Sequence, residues 1–364
     1  MELDQRHARL IERLETTEAV RAAFADHPRH RFIPDLVWSE VVGPPLSRTD
    51  APEEWAEYVY SDGYVVTQAN EGGEATMNTP TSSSSAPQIM ADMIGAARIV
   101  PGMRVLEIGT GTGWNAAILS SLVGPEGTVT TVEVDPRIAE QASERLERIG
   151  VRSVRGPGLP NKETYGAVIA TCSVHRVPTG WIEQAEDDAS IVVPWAIYAT
   201  NGPTPIAALR KVGPTIAEGP LVRDASFMRD RTQPVVHKRF PGMDAEACDR
   251  GEFPIGSTEL LSRDLLTRLA LTCPETQVSV GMRPWEGKAE RIVALGTDGG
   301  WAYIWPDGST TSGGTRPLVE VFAEAHDLLA GEGWPPLTEF SLEVDTTENV
   351  YRVRAPFGVW EHQV

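Results

Sequence analysis

The pattern of apolar and polar residues changes its period along this chain, and each period predicts a type of element. Residues 5–25 carry apolar side chains at helical spacing, which predicts one or two amphipathic helices. From residue 101 onward, short apolar runs alternate with helical patterns. The predicted elements are strands over 105–108, 128–134, 168–170 and 190–194 and helices over 113–123, 136–149 and 179–185. Such alternation is typical of an α/β fold, a doubly wound parallel sheet with helices on both faces.

The segment before this alternation is rich in glycine, proline and polar residues. Residues 41–80 are predicted to form loops around a short strand at 64–67. Four consecutive serines follow at 82–85. Such a run is usually a flexible linker, but this one directly precedes a predicted helix at 86–94 with proline in its first turn. Its hydroxyls are therefore candidates for helix caps or for ligand contacts.

Beyond Trp195 the pattern is that of hairpins. Strands are predicted over 206–212 and 221–227, followed by a domain boundary near 235. The remaining residues predict strands over 277–283, 289–295 and 301–305, a helix over 317–331 and a strand pair near 338–354. We therefore predict an N-terminal helical and loop segment over 1–80, a core over 81–235 and an additional C-terminal α+β domain over 236–364.

Composition and charge narrow the possible partners. The 364 residues include 51 acidic and 32 basic ones, a net charge of −19. This balance argues against nucleic-acid and membrane-surface binding, because both depend on clustered Lys and Arg. The three cysteines are too widely spaced for a metal knuckle, and neither a signal peptide nor a membrane span is apparent. We expect no bound metal and a cytoplasmic location. The oligomeric state is left open.

The strongest chemical signal is a glycine-rich turn between the first strand of the core and its helix. It reads Glu107-Ile108-Gly109-Thr110-Gly111-Thr112-Gly113. The dinucleotide-binding pattern requires a third glycine at position 114, where this chain has Trp114. Glu107 would repel a pyrophosphate but attract a methionine ammonium group. The pattern therefore predicts S-adenosyl-L-methionine as cofactor, S-adenosyl-L-homocysteine as product, and a Rossmann-like class I methyltransferase fold.

A second acidic residue stands at the end of the next predicted strand. Glu133 lies about 20 residues beyond the glycine turn, where a carboxylate can accept both ribose hydroxyls. Asp135 precedes Pro136 and is better explained as the N-cap of the following helix.

Several short motifs, in order, resemble the protein-L-isoaspartate O-methyltransferase family. They are residues 27–34 (HPRHRFIP), 60–62 (YSD), 83–87 (SSSAP), the glycine turn, Val132-Glu133, and 165–171 (YGAVIAT), with Pro178 and 192–194 (VVP) closing the core. The resemblance covers residues 10–235. It implies that residues 81–235 form an S-adenosylmethionine-binding catalytic core that methylates a carboxylate.

A branch of that family associated with ribosomally synthesised modified peptides is more similar still. The residues that carry this resemblance are 60–62 with 66–68 (VTQ), 80–85 (PTSSSS), 170–174 (ATCSV), 226–229 (SFMR) and the tail around 300–302 (GWA). The branch serves ATP-grasp graspetide and FxLD lanthipeptide systems. It implies that a precursor peptide with a target Asp is the partner, that the Asp ester cyclises to an aspartimide, and that residues 236–364 recognise the peptide.

The family's functional positions transfer to this chain residue by residue. The active-site serine falls on Ser85 and the preceding hydroxyl on Ser83. The cofactor positions fall on Glu107, Glu133, Gly156 and Thr171 and on the turn residues Gly109, Thr110, Gly111, Thr112 and Gly113. One position departs from the pattern: the family's GDG reads Gly156-Pro157-Gly158, and proline offers neither a carboxylate nor an N–H for the adenine.

Three functions remain open from the sequence. The first is methylation of an Asp side chain in a modified peptide, for which Ser85 would orient the carboxylate. The carboxylate needs no general base, because its pKa of about 3.9 leaves it ionised at neutral pH. The second is general isoaspartate repair, and the third is a non-catalytic peptide-binding protein with a degenerate cofactor site.

Overall fold

The computed structural model describes residues 2–157, 159, 163–198, 202–233, 248–262 and 264–364. The chain divides into two compact units. The N-terminal unit comprises Met1–Cys172, Gly180–Val193 and Asp230–Thr232; the C-terminal unit comprises Ser173–Thr179, Pro194–Arg229 and Gln233–Val364. The predicted boundary near 235 lies outside the described residues. The structure groups residues 194–229 with the C-terminal residues, whereas the sequence pattern places them in the core.

The N-terminal unit begins with a small helical layer. Its elements are α1 (Glu2–Arg13), α2 (Glu18–Asp26), the two-residue strands β1 (Leu36–Val37) and β2 (Leu46–Ser47), and α3 (Pro52–Val59). The prediction that 41–80 forms only loops around one strand is wrong at α3. This helix places Trp55, Ala56 and Val59 in an apolar cluster with Leu10 and Ile33. Eight residues among glycines and prolines are too few to show a helical period.

Ser82, Ser83 and Ser84 lie on a strand, and the serine run is neither a linker nor a helix cap. Strands β3 (Val65–Ala69) and β4 (Pro80–Ser84) form an antiparallel hairpin, which α4 (Pro87–Ala97) follows. Ser82 and Ser84 are buried, as the alternation of a strand requires. The N-cap of α4 is Ala86, which offers no side-chain hydrogen bond. The hydroxyl of Ser85 is therefore not used to begin the helix.

The predicted alternation of strands and helices is confirmed. Its elements are β5 (Arg104–Ile108), α5 (Trp114–Val123), β6 (Thr128–Glu133), α6 (Pro136–Glu147), β7 (Arg152–Arg155), β8 (Tyr165–Ala170), α7 (Thr179–Glu183) and β9 (Ala185–Pro194). The strands pair in parallel in the order β9-β8-β5-β6-β7. Because parallel strands share a direction, the carboxyl ends of β5, β6 and β8 meet at one edge of the sheet. Sequence reading missed β7, a four-residue edge strand.

The C-terminal unit contains antiparallel sheets and confirms the predicted additional α+β part. Its elements are β10 (Ile206–Lys211), β11 (Ile216–Arg223), β12 (Asp249–Glu252), α8 (Ser257–Leu260), α9 (Leu265–Thr272), β13 (Gln277–Trp285), β14 (Lys288–Thr297), β15 (Gly300–Ile304), β16 (Ser309–Gly314), α10 (Leu318–Gly331), β17 (Ser341–Asp345), β18 (Val350–Ala355) and β19 (Gly358–Gln363). The strands are ordered β10-β11-β17-β18-β19 in one arrangement and β12-β16-β15-β14-β13 in the other. Among the described residues, no helix is long and apolar enough to cross a membrane.

Candidate cofactor and active site

All three glycines of the turn between β5 and α5 have positive φ angles, which other residues rarely adopt. Gly109 has φ +96°, and a Cβ there would lie 2.7 Å from Thr171 Oγ1. The Thr171 hydroxyl donates to the Gly109 carbonyl oxygen at 2.6 Å, so the end of β8 packs directly on the turn. Gly113, the N-cap of α5, has φ +82°, and a Cβ there would meet the side chain of Leu146 at 3.2 Å. Glycine keeps this backbone open to a close ligand.

Glu107 is enclosed rather than presented at the surface. Its side chain has no exposed area. Oε1 accepts from Asn115 Nδ2 at 2.7 Å and Oε2 accepts from the Thr131 hydroxyl, which also contacts the Thr110 hydroxyl at 2.8 Å. Burial raises the pKa of Glu107 to about 7, although the bonds from Thr131 and Asn115 act in the opposite direction. Glu107 can therefore act on a methionine ammonium group only through its charge or by orienting Asn115 and Thr131.

Glu133 is fixed by backbone amides at the end of β6. Its Oε2 accepts from Gly111 N at 2.9 Å and its Oε1 from Asp135 N at 3.0 Å. The Glu133 carbonyl accepts from Gly156 N at 2.9 Å, which brings a further predicted cofactor residue to this edge. Each carboxylate oxygen keeps a second lone pair, so the pair can still accept ribose hydroxyls.

Asp135 caps α6 as predicted and also belongs to a network that the sequence does not reveal. Its Oδ1 accepts from Arg137 N at 2.9 Å and from Ile138 N at 3.3 Å. Its Oδ2 accepts from Arg231 Nη1 at 2.8 Å and from Gln68 Nε2 at 3.1 Å. Gln68 and Arg231 stand 67 and 96 residues from Asp135, so no local motif relates them.

The end of the serine strand lies beside the glycine turn. A Cβ on Gly111 would be 3.6 Å from the carbonyl oxygen of Ser83. Ser83 and Ser85 are both half-buried, and within the described parts of the chain neither hydroxyl makes a hydrogen bond. These two hydroxyls are therefore free to contact a ligand that occupies the turn.

Arg29 binds the end of the serine run through hydrogen bonds to backbone carbonyl oxygens. It is fully buried and donates to the carbonyl oxygens of Val59 at 2.8 Å, Gly63 at 3.1 Å, Ser84 at 3.1 Å and Ser85 at 2.9 Å. Burial lowers its pKa to about 9. Its guanidinium carbon also lies 5.2 Å from the ring centroid of Trp114, the first residue of α5.

The adenine position is the least regular part of the predicted site. Gly156 has φ +134°, and Pro157 has no N–H to offer. Gly158 lies outside the described residues. Thr112 is half-buried within the turn. That position 157 offers no contact to the adenine stays a prediction.

The residues at this edge fit S-adenosylmethionine. The turn leaves its backbone uncovered, Glu133 supplies hydroxyl acceptors, and the enclosed Asn115 Oδ1 has no hydrogen-bond partner among the described residues. A parallel sheet in the order β9-β8-β5-β6-β7 with this turn after β5 defines a class I methyltransferase. The predicted fold class is confirmed.

Comparisons with known proteins give the family. The model of the family "Protein-L-isoaspartate(D-aspartate) O-methyltransferase (PCMT)" matches residues 48–211. The enzyme of that name from Gloeobacter violaceus is 36% identical over 183 residues, which is 49% of this chain and 74% of the relative. The chain belongs to the protein-L-isoaspartate O-methyltransferase family. This confirms the predicted methyltransferase class and its methyl donor, S-adenosylmethionine.

Other relatives differ in how much of their length is matched. The Pyrococcus horikoshii enzyme is 29% identical over 54% of this chain and 80% of its own length. The Ignicoccus hospitalis enzyme is 40% identical, but the match spans 30% of this chain and 55% of the relative. A solved structure titled protein-L-isoaspartate O-methyltransferase aligns over 96% of this chain and 99% of its own, with a TM-score of 0.55 and 21% identity, which shows a shared fold.

Proposed function

We propose that this protein transfers a methyl group from S-adenosylmethionine to a carboxylate of an aspartate-derived residue in a peptide or protein, and that an isoaspartyl residue is the acceptor. The family match supports this acceptor. The observation that carries the proposal is the position of the serine segment beside the glycine turn, 3.6 Å from a Cβ on Gly111. A peptide carboxylate held at Ser83 and Ser85 would lie next to a cofactor held by the turn.

The residues at the site match the demands of this reaction. When bound, the sulfonium supplies an already activated methyl group. The acceptor carboxylate is ionised at neutral pH, so the protein has to orient it and exclude water rather than remove a proton. The Ser85 hydroxyl, which has no other partner among the described residues, can donate to one carboxylate oxygen while the other attacks.

A second candidate acceptor is a normal Asp in a ribosomally synthesised modified peptide. The specific sequence matches at 80–85, 170–174 and 226–229 favour it. The C-terminal part does not discriminate between the two acceptors. A solved structure titled protein-L-isoaspartate O-methyltransferase spans 96% of this chain, so such a part also occurs outside the peptide-tailoring branch.

Residues 236–364 are proposed to contact the peptide substrate. A cytoplasmic location is part of the proposal, and the three free cysteines support it, because thiols persist in reducing compartments.

The test uses two synthetic peptides of one sequence, which differ only in an L-aspartyl or an L-isoaspartyl residue before glycine. With the isoaspartyl peptide we expect a mass gain of about 14 Da, followed by loss of methanol to a succinimide about 18 Da below the starting peptide, because ring closure is effectively unimolecular. Ser85→Ala is expected to slow methylation about 10- to 1000-fold through loss of one orienting donor.

The outcomes separate the candidates. Methylation of the aspartyl peptide alone would overturn the isoaspartyl acceptor and support the second candidate. A protein that binds S-adenosylmethionine in a calorimeter but methylates neither peptide would also contradict the isoaspartyl proposal. The peptide encoded beside its gene would then be the next acceptor to test. Ser120→Ala, a substitution in the last turn of α5, serves as the control for Ser85→Ala.

A further inference from the structure

Residues 230–232 belong to the N-terminal unit although the residues on both sides of them belong to the C-terminal unit. Within this short segment, the guanidinium of Arg231 makes three contacts. It donates to Asp135 Oδ2 at 2.8 Å, to Gln68 Oε1 at 3.1 Å and to the Thr81 carbonyl oxygen. The side chain of Asp135 is 6% exposed and that of Arg231 27%. The ion pair is therefore largely enclosed.

The three partners of Arg231 belong to two parts of the candidate site. Gln68 lies on β3 and Thr81 on β4, the strand that carries the serines, and the Thr81 hydroxyl donates to Gln68 Oε1 at 2.8 Å. Asp135 is the N-cap of α6, and its amide donates to Glu133 Oε1 at 3.0 Å. A continuous series of hydrogen bonds thus runs from the β3–β4 hairpin through Arg231 and Asp135 to Glu133, which is expected to bind the ribose.

Capping alone does not explain this arrangement. The cap of α6 uses only Oδ1 of Asp135, whereas Arg231 and Gln68 both use Oδ2. The two tasks of one carboxylate are divided between its two oxygens. Although burial alone would raise the pKa of Asp135, the bonds from Arg231, Gln68 and the α6 backbone lower it to about 2, so the pair stays charged at neutral pH.

We propose that Arg231 is a positioning residue that clasps the β3–β4 hairpin to the cofactor edge and thereby couples the placement of Ser83 and Ser85 to that of Glu133. Loss of the clasp would let the hairpin move relative to α6 without unfolding either element. An enclosed charged hydrogen bond contributes more free energy than an exposed one. Removal of this bond should therefore displace the hairpin enough to weaken ligand binding measurably. The acceptor part of this inference rests on the proposed function, and the cofactor part does not.

The test compares Arg231→Met with Arg104→Met by two readouts that need no acceptor. Arg104 pairs with Glu186 at 2.6 Å in the same unit, but both side chains are nearly half-exposed. For Arg231→Met we expect S-adenosylmethionine affinity to fall about 3- to 30-fold, within the range of one charge-assisted bond discounted for partial exposure. Amide hydrogen exchange over residues 80–86 should become faster. Arg104→Met should change neither readout.

Two further variants keep the inference open to refutation. Arg231→Lys preserves the charge but cannot fork between Asp135 and Gln68, so its affinity should lie between those of the wild type and Arg231→Met. Asp135→Asn should reproduce the loss seen in Arg231→Met, and the double variant should lose little more than either single one. If Arg231→Met does not fold, Arg231→Lys carries the test. A folded variant with wild-type cofactor affinity and unchanged exchange over 80–86 would overturn the inference.

If neither peptide acceptor is methylated but the affinity and exchange results hold, the proposed function fails and the clasp stands. Once a peptide acceptor is known, the proposal also predicts that Arg231→Met lowers kcat at temperatures where the variant is fully folded. A role confined to stability would instead lower the unfolding temperature while leaving kcat and the KM for S-adenosylmethionine unchanged at a temperature where the variant is folded.

Discussion

Replacing Glu107 by Gln changes the pH dependence of folding in a direction that the structure fixes. Burial raises the pKa of Glu107 to about 7 from its ordinary value of 4.5. Between these two pH values the folded protein holds a proton that the unfolded chain has released. Stability contributed by this group is therefore complete below pH 4.5 and is lost as the pH rises towards 7. Glu107→Gln keeps the shape of the side chain and cannot ionise, so this loss should disappear.

The size of the effect follows from the difference between the two pKa values. A difference from 4.5 to about 7 corresponds to about 3 kcal/mol of unfolding free energy. The histidines act in the opposite direction, because burial lowers the pKa values of His7, His30 and His362 and so favours folding as the pH rises. They are common to both proteins. Subtracting the two stability curves therefore isolates Glu107.

The assay is urea unfolding of both proteins from pH 5 to 8 without cofactor. The transition of the N-terminal unit is the one that added S-adenosylmethionine moves to higher urea. We expect the advantage of Glu107→Gln over the wild type to grow by about 2.5 kcal/mol across this range, most of it below pH 7.5. Glu186→Gln, at a half-exposed position, should give a flat difference. Parallel curves for the wild type and Glu107→Gln would refute the reasoning.

Two more predictions concern neighbouring residues. Arg29→Met should destabilise the N-terminal unit by about 3–5 kcal/mol, because it leaves buried carbonyl groups without their hydrogen-bond donor. Arg29→Lys should destabilise the unit less, because it keeps a charged donor. Urea unfolding checks both, and two variants as stable as the wild type would contradict it. Glu133→Ala should weaken S-adenosylmethionine binding by about 1.5–3 kcal/mol in calorimetry through loss of acceptors at the end of β6. Unchanged affinity in the folded variant would remove Glu133 from the cofactor site.

The residues proposed for the cofactor site could be located from the sequence because their signals are local. The glycine turn, Glu133 and the cap at Asp135 each lie within a few residues of a strand end, where apolar period and residue type together indicate position. The same reasoning could not distinguish the surroundings of the two acids. Glu107 and Glu133 end neighbouring strands, but one is enclosed by side chains and the other is held by backbone amides.

The serine segment shows why composition misleads when a partner strand is distant. Four serines have little apolar character, so local pattern suggests a linker or a cap. In the fold, β3 supplies the hydrogen bonds that make residues 80–84 a strand, and Arg29 fixes its end from 55 residues away. Contacts of Arg29 and Arg231 depend on the path of the chain rather than on any repeating period. No single-sequence pattern contains that information.

The place of residues 173–179 bears on how the C-terminal residues can be assigned a role. These residues directly follow Thr171 and Cys172 in the chain, yet they belong to the C-terminal unit. Within that unit, Val177 N donates to the Tyr351 hydroxyl at 2.8 Å, and Arg176 donates to the carbonyl oxygen of Val364. A chain cut near 235 would lose these partners and with them the support of the segment that continues from β8. Slow methylation by such a truncation would therefore not separate peptide recognition from structural support. Single substitutions of exposed residues within 248–364, which leave Tyr351 and its contacts intact, are the variants that can assign recognition to this part of the chain.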